Sequence, residues 1–134
     1  MRIMLDTNVL LSIAAFRSRN LSALLNWICE KHRLVLSSYV IGECYEVVRR
    51  KKPDLVAALD TFFTTIPYEL ELTPEALPEH GWFTIRDKDD EKVLYSAITS
   101  DVDILITGDK DFADIEIEKP EIITPRDFVE KYMQ

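Results

Sequence analysis

Four short apolar runs recur along the chain, at Arg2–Leu5, Leu34–Leu36, Ile104–Thr107 and Ile122–Ile123, with helix-length segments between them. Apart from Arg2 they show no polar–apolar alternation, so they present no face to water and suit strands covered on both sides. Strands of that kind alternating with helices imply a parallel sheet sandwiched between helical layers. In such sheets the reactive groups lie beyond the carboxyl ends of the strands.

The intervening segments carry apolar residues three and four apart, as buried helix stripes do. Leu10, Leu11, Ala14 and Ala15 follow Thr7 or Asn8 as cap; Leu21, Leu24, Leu25 and Ile28 follow Asn20 or Ser22. Ser37 or Ser38 caps a helix carrying Val40, Ile41, Cys44, Val47 and Val48 inward. Pro53 ends it and opens another over Asp54 to Phe63. Tyr68–Leu72 reads as a further short strand, 73–84 as irregular or a broken helix, and Asp89 to Ser100 as a helix. Thr124 and Pro125 form the cap and first residue of a terminal helix through Tyr132. With no repeat or linker, residues 1–134 are expected to form one domain, long enough for a core without disulfides.

Several classes of function are disfavoured. No apolar run approaches the roughly 20 residues of a membrane span, and the N-terminus runs straight into a strand pattern without a secretory signal. Cys29 and Cys44 are too few for a disulfide framework, which points to reduced thiols and a cytoplasmic protein. Three glycines, in neither GxGxxG nor GxxxxGK, leave no phosphate-cradling loop, and isolated His32 and His80 argue against zinc. The net charge of −8 is uneven: residues 1–67 hold nine Lys/Arg against six Asp/Glu, residues 68–134 seven against eighteen. Such a surface does not attract a polyanion globally, so a nucleic-acid substrate has to be drawn by bound metal and the basic first half. The run Arg49-Arg50-Lys51-Lys52 is explained first as a helix end complementing its dipole.

The acids fall where strands hand over to helices. Asp6 follows the first strand, and Thr7 and Asn8 can cap the helix themselves, freeing Asp6 to face a cleft. Glu43 sits in a small, apolar setting beside Gly42, a residue costly in a helix unless something approaches closely, whereas Glu46 reads as surface. Asp87, Asp89, Asp90 and Glu91 crowd one helix start; the dipole accounts for one or two of them, not four. Asp109 follows the most apolar strand, with Thr107 placed to orient a carboxylate or a water. Carboxylates gathered at one sheet end repel unless a divalent cation shares them, and hard oxygen donors suit Mg²⁺ or Mn²⁺.

Four motifs then stand in order: Leu5-Asp6-Thr7-Asn8-Val9-Leu10, the helical Glu43, Arg86-Asp87-Lys88-Asp89-Asp90-Glu91-Lys92-Val93-Leu94, and Leu105-Ile106-Thr107-Gly108-Asp109-Lys110-Asp111-Phe112. Together they resemble the PIN-domain family of metal-dependent nucleases, in particular toxin components related to VapC-type toxins. The resemblance implies a three-layer α/β/α sandwich with a short, mostly parallel central sheet. It also implies Mg²⁺ or Mn²⁺, endoribonuclease activity on single-stranded RNA, a homodimer and an antitoxin partner. Asp6, Glu43, Asp90 and Asp109 match the family's acidic quartet. Members often have Pro where Lys88 stands and Asp where Glu91 stands, which leaves Asp90 and Glu91 as alternatives for the third acid. Asp87 and Asp111 are then outer helpers, and Asn8 a polar neighbour of the first acid.

Two rivals use the same composition. A receiver-type signalling domain needs a phosphoacceptor Asp after a middle strand and a Lys ending the last; here Ser37-Ser38 and Thr124-Pro125 stand there. The other is a PIN-fold module that binds without catalysing.

Overall fold

The computed structural model describes residues 1–74, 88–112 and 115–133. Its elements run β1 (Arg2–Leu5), α1 (Thr7–Ala14), α2 (Arg19–Lys31), β2 (Arg33–Ser37), α3 (Ser38–Lys51), α4 (Val56–Thr65), β3 (Glu69–Glu71), α5 (Lys88–Thr99), β4 (Ile104–Ile106), β5 (Glu121–Ile123) and α6 (Pro125–Tyr132). Short 3₁₀ turns at Pro53–Leu55 and Lys110–Phe112 lie between α3 and α4 and after β4.

The five strands are parallel in the order β3-β2-β1-β4-β5. The chain therefore moves outward from β1 through β2 to β3, then crosses back to β4 on the other side. Right-handed crossovers put α1 to α4 over one face and α5 over the opposite face, giving three layers. The strand order reverses between β1 and β4, the place where open α/β sheets have a crevice at their carboxyl edge. The register holds the two strands level there, with Leu5 opposite Ile106.

The core explains the apolar runs. Ile3, Met4, Leu5, Val35, Leu36, Leu105 and Ile106 are fully buried, as strands covered on both faces require. On α5 the inward stripe is Asp90, Val93, Leu94 and Ala97, one carboxylate in an otherwise apolar row. Helix α6 docks through fully buried Phe128, which meets Trp27 of α2 edge-on at 5.8 Å. At the opposite end of the sheet from the crevice, Arg2 ion-pairs Glu69 and Glu71 of β3, and its amide donates to Asp103.

Several boundaries differ from the sequence reading. Helix α2 begins two to four residues earlier than expected, capped by Ser18 instead of Asn20 or Ser22, because Arg17 turns the backbone at φ 52° and redirects it immediately after α1. Pro53 opens a 3₁₀ turn, so α4 starts at Val56 and not Asp54. Gly42 has no atom within 4 Å of where a Cβ would stand, so close approach is not the reason for it. The expected irregular stretch at 73–84 falls almost wholly outside the described residues.

Candidate metal centre

Asp6 is placed by the β1–β4 ladder. Its amide donates to the Ile106 carbonyl at 3.0 Å, which keeps its backbone extended one residue beyond the strand. Thr7 and Asn8 are already helical, so the cap position falls to Asp6 itself, and the expectation that they would free it is corrected. Its Oδ1 accepts from the Thr7 amide at 2.6 Å and its Oδ2 from the Thr107 hydroxyl at 2.7 Å, while the residue is 4% exposed. Asn8 lies on the exposed side of the first turn of α1.

Thr107 joins β1 to the loop after β4. While donating to Asp6, its Oγ1 accepts from the Asp109 amide at 3.1 Å, and Asp109 Oδ1 accepts from the Asp111 amide at 2.8 Å. These bonds fold 107–111 into a tight series of side-chain-to-backbone turns, as Thr and Asp favour. Carboxylate oxygens of Asp109 and Asp111 then converge with one from Asp90, all within 4.8 Å of one another. Asp90 is buried because it shares the inward stripe of α5. Asp111 therefore belongs to the cluster itself, not to its surroundings. Glu91, also in the first turn of α5, is not among these gathered carboxylates, and Asp87 lies outside the described residues.

Glu43 approaches from α3. Its Oε1 accepts from the Thr7 hydroxyl at 2.6 Å, fixing it beside Asp6. One turn back on the same helix face, the Tyr39 hydroxyl is pushed well above its ordinary pKa by burial first and then by Asp89 and Glu43, and Lys92 sits over its ring at 5.1 Å. The sequence singles out Asp89 as one of the crowded acids at the start of α5, but neither Tyr39 nor the Thr7 hydroxyl. The i,i+4 spacing of Tyr39 and Glu43 is the signal that links the first of them to the site. The acids thus form a chain from Asp89 through Glu43 and Asp6 to the Asp90–Asp109–Asp111 cluster, not a single four-membered knot.

The electrostatics agree with that crowding. Burial pushes the Asp6 carboxyl above its ordinary pKa; bonds from Thr107 and Thr7 oppose the shift and the Asp109 charge adds to it. Burial likewise raises Glu43, against the Thr7 bond and with repulsion from Asp89 and Asp6. Behind them the Cys44 thiol is pushed up to about 12, by burial first and then by Glu43 and Asp6. Burial is the first cause for all three, and repulsion from neighbouring carboxylates adds to it, which a cation relieves. Every converging donor is a carboxylate oxygen, the set that a hard divalent ion takes and that a thiol- or imidazole-seeking metal does not.

None of the curated proteins matches this chain. Among solved structures it resembles a chain of VapBC2 from Rickettsia felis bound to a DNA fragment from the promoter, at a TM-score of 0.69 and 20% identity. That alignment covers 92% of this chain and 97% of the other. It also resembles VapC20 of Mycobacterium tuberculosis, a sarcin-ricin loop cleaving toxin, at a TM-score of 0.55 and 14% identity, over 83% of this chain and 92% of that one. At such identities the likeness establishes a shared fold. Residues 2–111 match the family model of the PIN domain, which retires the receiver reading: the chain belongs to the PIN domain family.

Proposed function

We propose that this chain is a Mg²⁺- or Mn²⁺-dependent endoribonuclease that hydrolyses single-stranded RNA as the toxin of a toxin–antitoxin pair. The observation that carries the proposal is the convergence of Asp90, Asp109 and Asp111 at the β1–β4 crevice of a PIN domain. The likeness to VapBC2 and to a sarcin-ricin loop cleaving toxin supports the RNA substrate and the antitoxin partner. A homodimer in the cytoplasm completes the reading; the free Cys29 and Cys44 fit a reducing compartment, and no described helix is long and apolar enough to cross a membrane.

In this mechanism Asp90, Asp109 and Asp111 hold the cation, with Asp6 beside them. When bound, the ion supplies Lewis acidity and neutralises charge at the scissile phosphate. Thr107 keeps one Asp6 oxygen fixed while its own oxygen fixes the Asp109 backbone, so the two acids are set with respect to each other. Glu43 is the proton acceptor. Thr7 holds its Oε1 beside Asp6, so the carboxylate is fixed at the edge of the site, placed to take the proton from the attacking water.

The test uses purified protein and defined single-stranded RNAs, with Mn²⁺ or with chelator. Cleavage that requires the metal and disappears in Asp109→Asn supports the proposal. A folded protein that binds Mn²⁺ and RNA but cuts nothing would leave the non-catalytic binding module in its place.

A further inference from the structure

We infer that the cleft running from Asp109 along β5 is a base-binding subsite, taking the nucleobase next to the scissile phosphate and favouring bases with an exocyclic amino group. This inference rests on the ribonuclease reading above and adds a sequence preference to it.

The cleft has a volume of about 560 Å³, within the range of small-ligand pockets. It begins at Thr107, Gly108 and Asp109, so its mouth is part of the acidic site. A strand of RNA whose phosphate lies at Asp109 has a neighbouring nucleotide within reach of this opening. Phe112, Ile115, Ile117, Ile122 and Ile123 give it apolar walls between which an extruded base can lie. Lys110, exposed at the rim, supplies a cation for the backbone that remains outside.

Polar groups at the cleft define which base fits. None of the β4 residues Ile104–Ile106 lines it, so it follows the open edge of β5. The ladder to β4 uses the Glu121 amide and the Ile123 carbonyl, bonded to Asp103 and Thr107. Alternation along a strand therefore turns the Ile122 N–H and C=O to the open side, a fixed donor and acceptor for a base edge. Two acids also line the cleft. Glu121 is already engaged by Lys131 at 2.6 Å and by the Tyr132 hydroxyl. Glu118 is exposed and makes no hydrogen bond or ion pair among the described residues, so its oxygens are available as acceptors. A carboxylate there repels a phosphate and accepts from N4 of cytosine, N6 of adenine or N1 and N2 of guanine. Uracil presents carbonyls on both sides of its single N–H and is disfavoured.

The deciding experiment has two arms. In the first, CMP, AMP, GMP and UMP are titrated into the metal-free protein while isoleucine methyl resonances are followed. Ile115, Ile117, Ile122 and Ile123 should move, with UMP binding about tenfold more weakly than CMP, the scale of one lost charge-assisted hydrogen bond. Glu118→Gln should bring CMP and UMP together, and Ile117→Trp, which fills the cleft, should abolish the shifts. In the second arm, fragments of a randomised single-stranded RNA cut with Mn²⁺ are sequenced. One position adjoining the cut should be depleted of uracil in wild type and random in Glu118→Gln. Cutting without positional bias would overturn the subsite while leaving the ribonuclease intact. Methyl shifts with no RNA cut would support the subsite and remove the ribonuclease. Nucleotides that leave these methyls unmoved, with a co-purified protein protecting them, would assign the cleft to a protein partner and overturn the inference.

Discussion

Replacing Asp6 by Asn should make the metal-free protein more stable and the metal-loaded protein less so. The Asp6 carboxyl is nearly inaccessible, and its pKa stands above the ordinary value even though the bonds from Thr107 and Thr7 already pull it down. The ionised group is therefore a net cost to the fold at neutral pH, and every pKa unit of elevation corresponds to about 1.4 kcal/mol. Asn can still accept from the Thr7 amide with its oxygen; what it loses is the charge-assisted bond from Thr107, and what it gains is relief from burial and from Asp109. A net gain in stability follows, read as a rise in Tm, each 1 kcal/mol of gain being worth roughly 3–6 °C for a chain of this length. Manganese reverses the order. At a concentration a hundred times Kd it stabilises the wild type by about 2.7 kcal/mol, and the variant should lose most of that. Calorimetry in chelator and in Mn²⁺ reads both halves. A variant less stable than wild type in chelator would refute the reasoning, because Asp6 would then be a satisfied cap and nothing more.

Other consequences follow from the same structure. Thr107→Val removes both the donor to Asp6 and the acceptor for the Asp109 amide, and should lower Mn²⁺ affinity or cleavage about 10- to 100-fold with the fold retained, measured by metal titration and RNA cleavage. In the metal-free protein the raised Asp6 and Glu43 pKa values mean their cost sets in as pH rises from the unfolded values, near 4, through the folded ones, so melting temperature should climb on mild acidification. Glu69 and Asp103 are held low, Glu69 by Arg2 and Arg33 and Asp103 chiefly by the Arg2 amide; their contribution exists above the unfolded pKa and is lost as pH falls through the folded one, which ends that climb. Phe128→Ala should destabilise by about 3–5 kcal/mol in urea unfolding, since Phe128 is the buried anchor of α6. Gly42→Ala meets open space in mid-helix and should stabilise by about 0.5–1 kcal/mol by the same assay.

How far the site can be read from the sequence depends on how local its causes are. Ser37 and Thr124 cap their helices as the sequence indicates, because each bonds a backbone amide three residues on. Asp6 fails that rule for a reason 100 residues away: pairing with β4 carries its backbone one step past the strand, and only then does the capping position fall on it. The different placement of Asp90 and Glu91 follows from periodicity that the sequence does contain. Val93, Leu94 and Ala97 lie three, four and seven residues beyond Asp90, so the stripe that buries them turns Asp90 inward and Glu91 aside. Glu43 shows the same logic at the margin: the buried stripe of α3 is Val40, Cys44 and Val48, and Glu43 and Tyr39 flank it together, half-buried, where a carboxylate can reach both the sheet end and water. The sequence offers no comparable sign for the Thr7 hydroxyl, whose partner Glu43 lies on a different helix and meets it only after the sheet has formed.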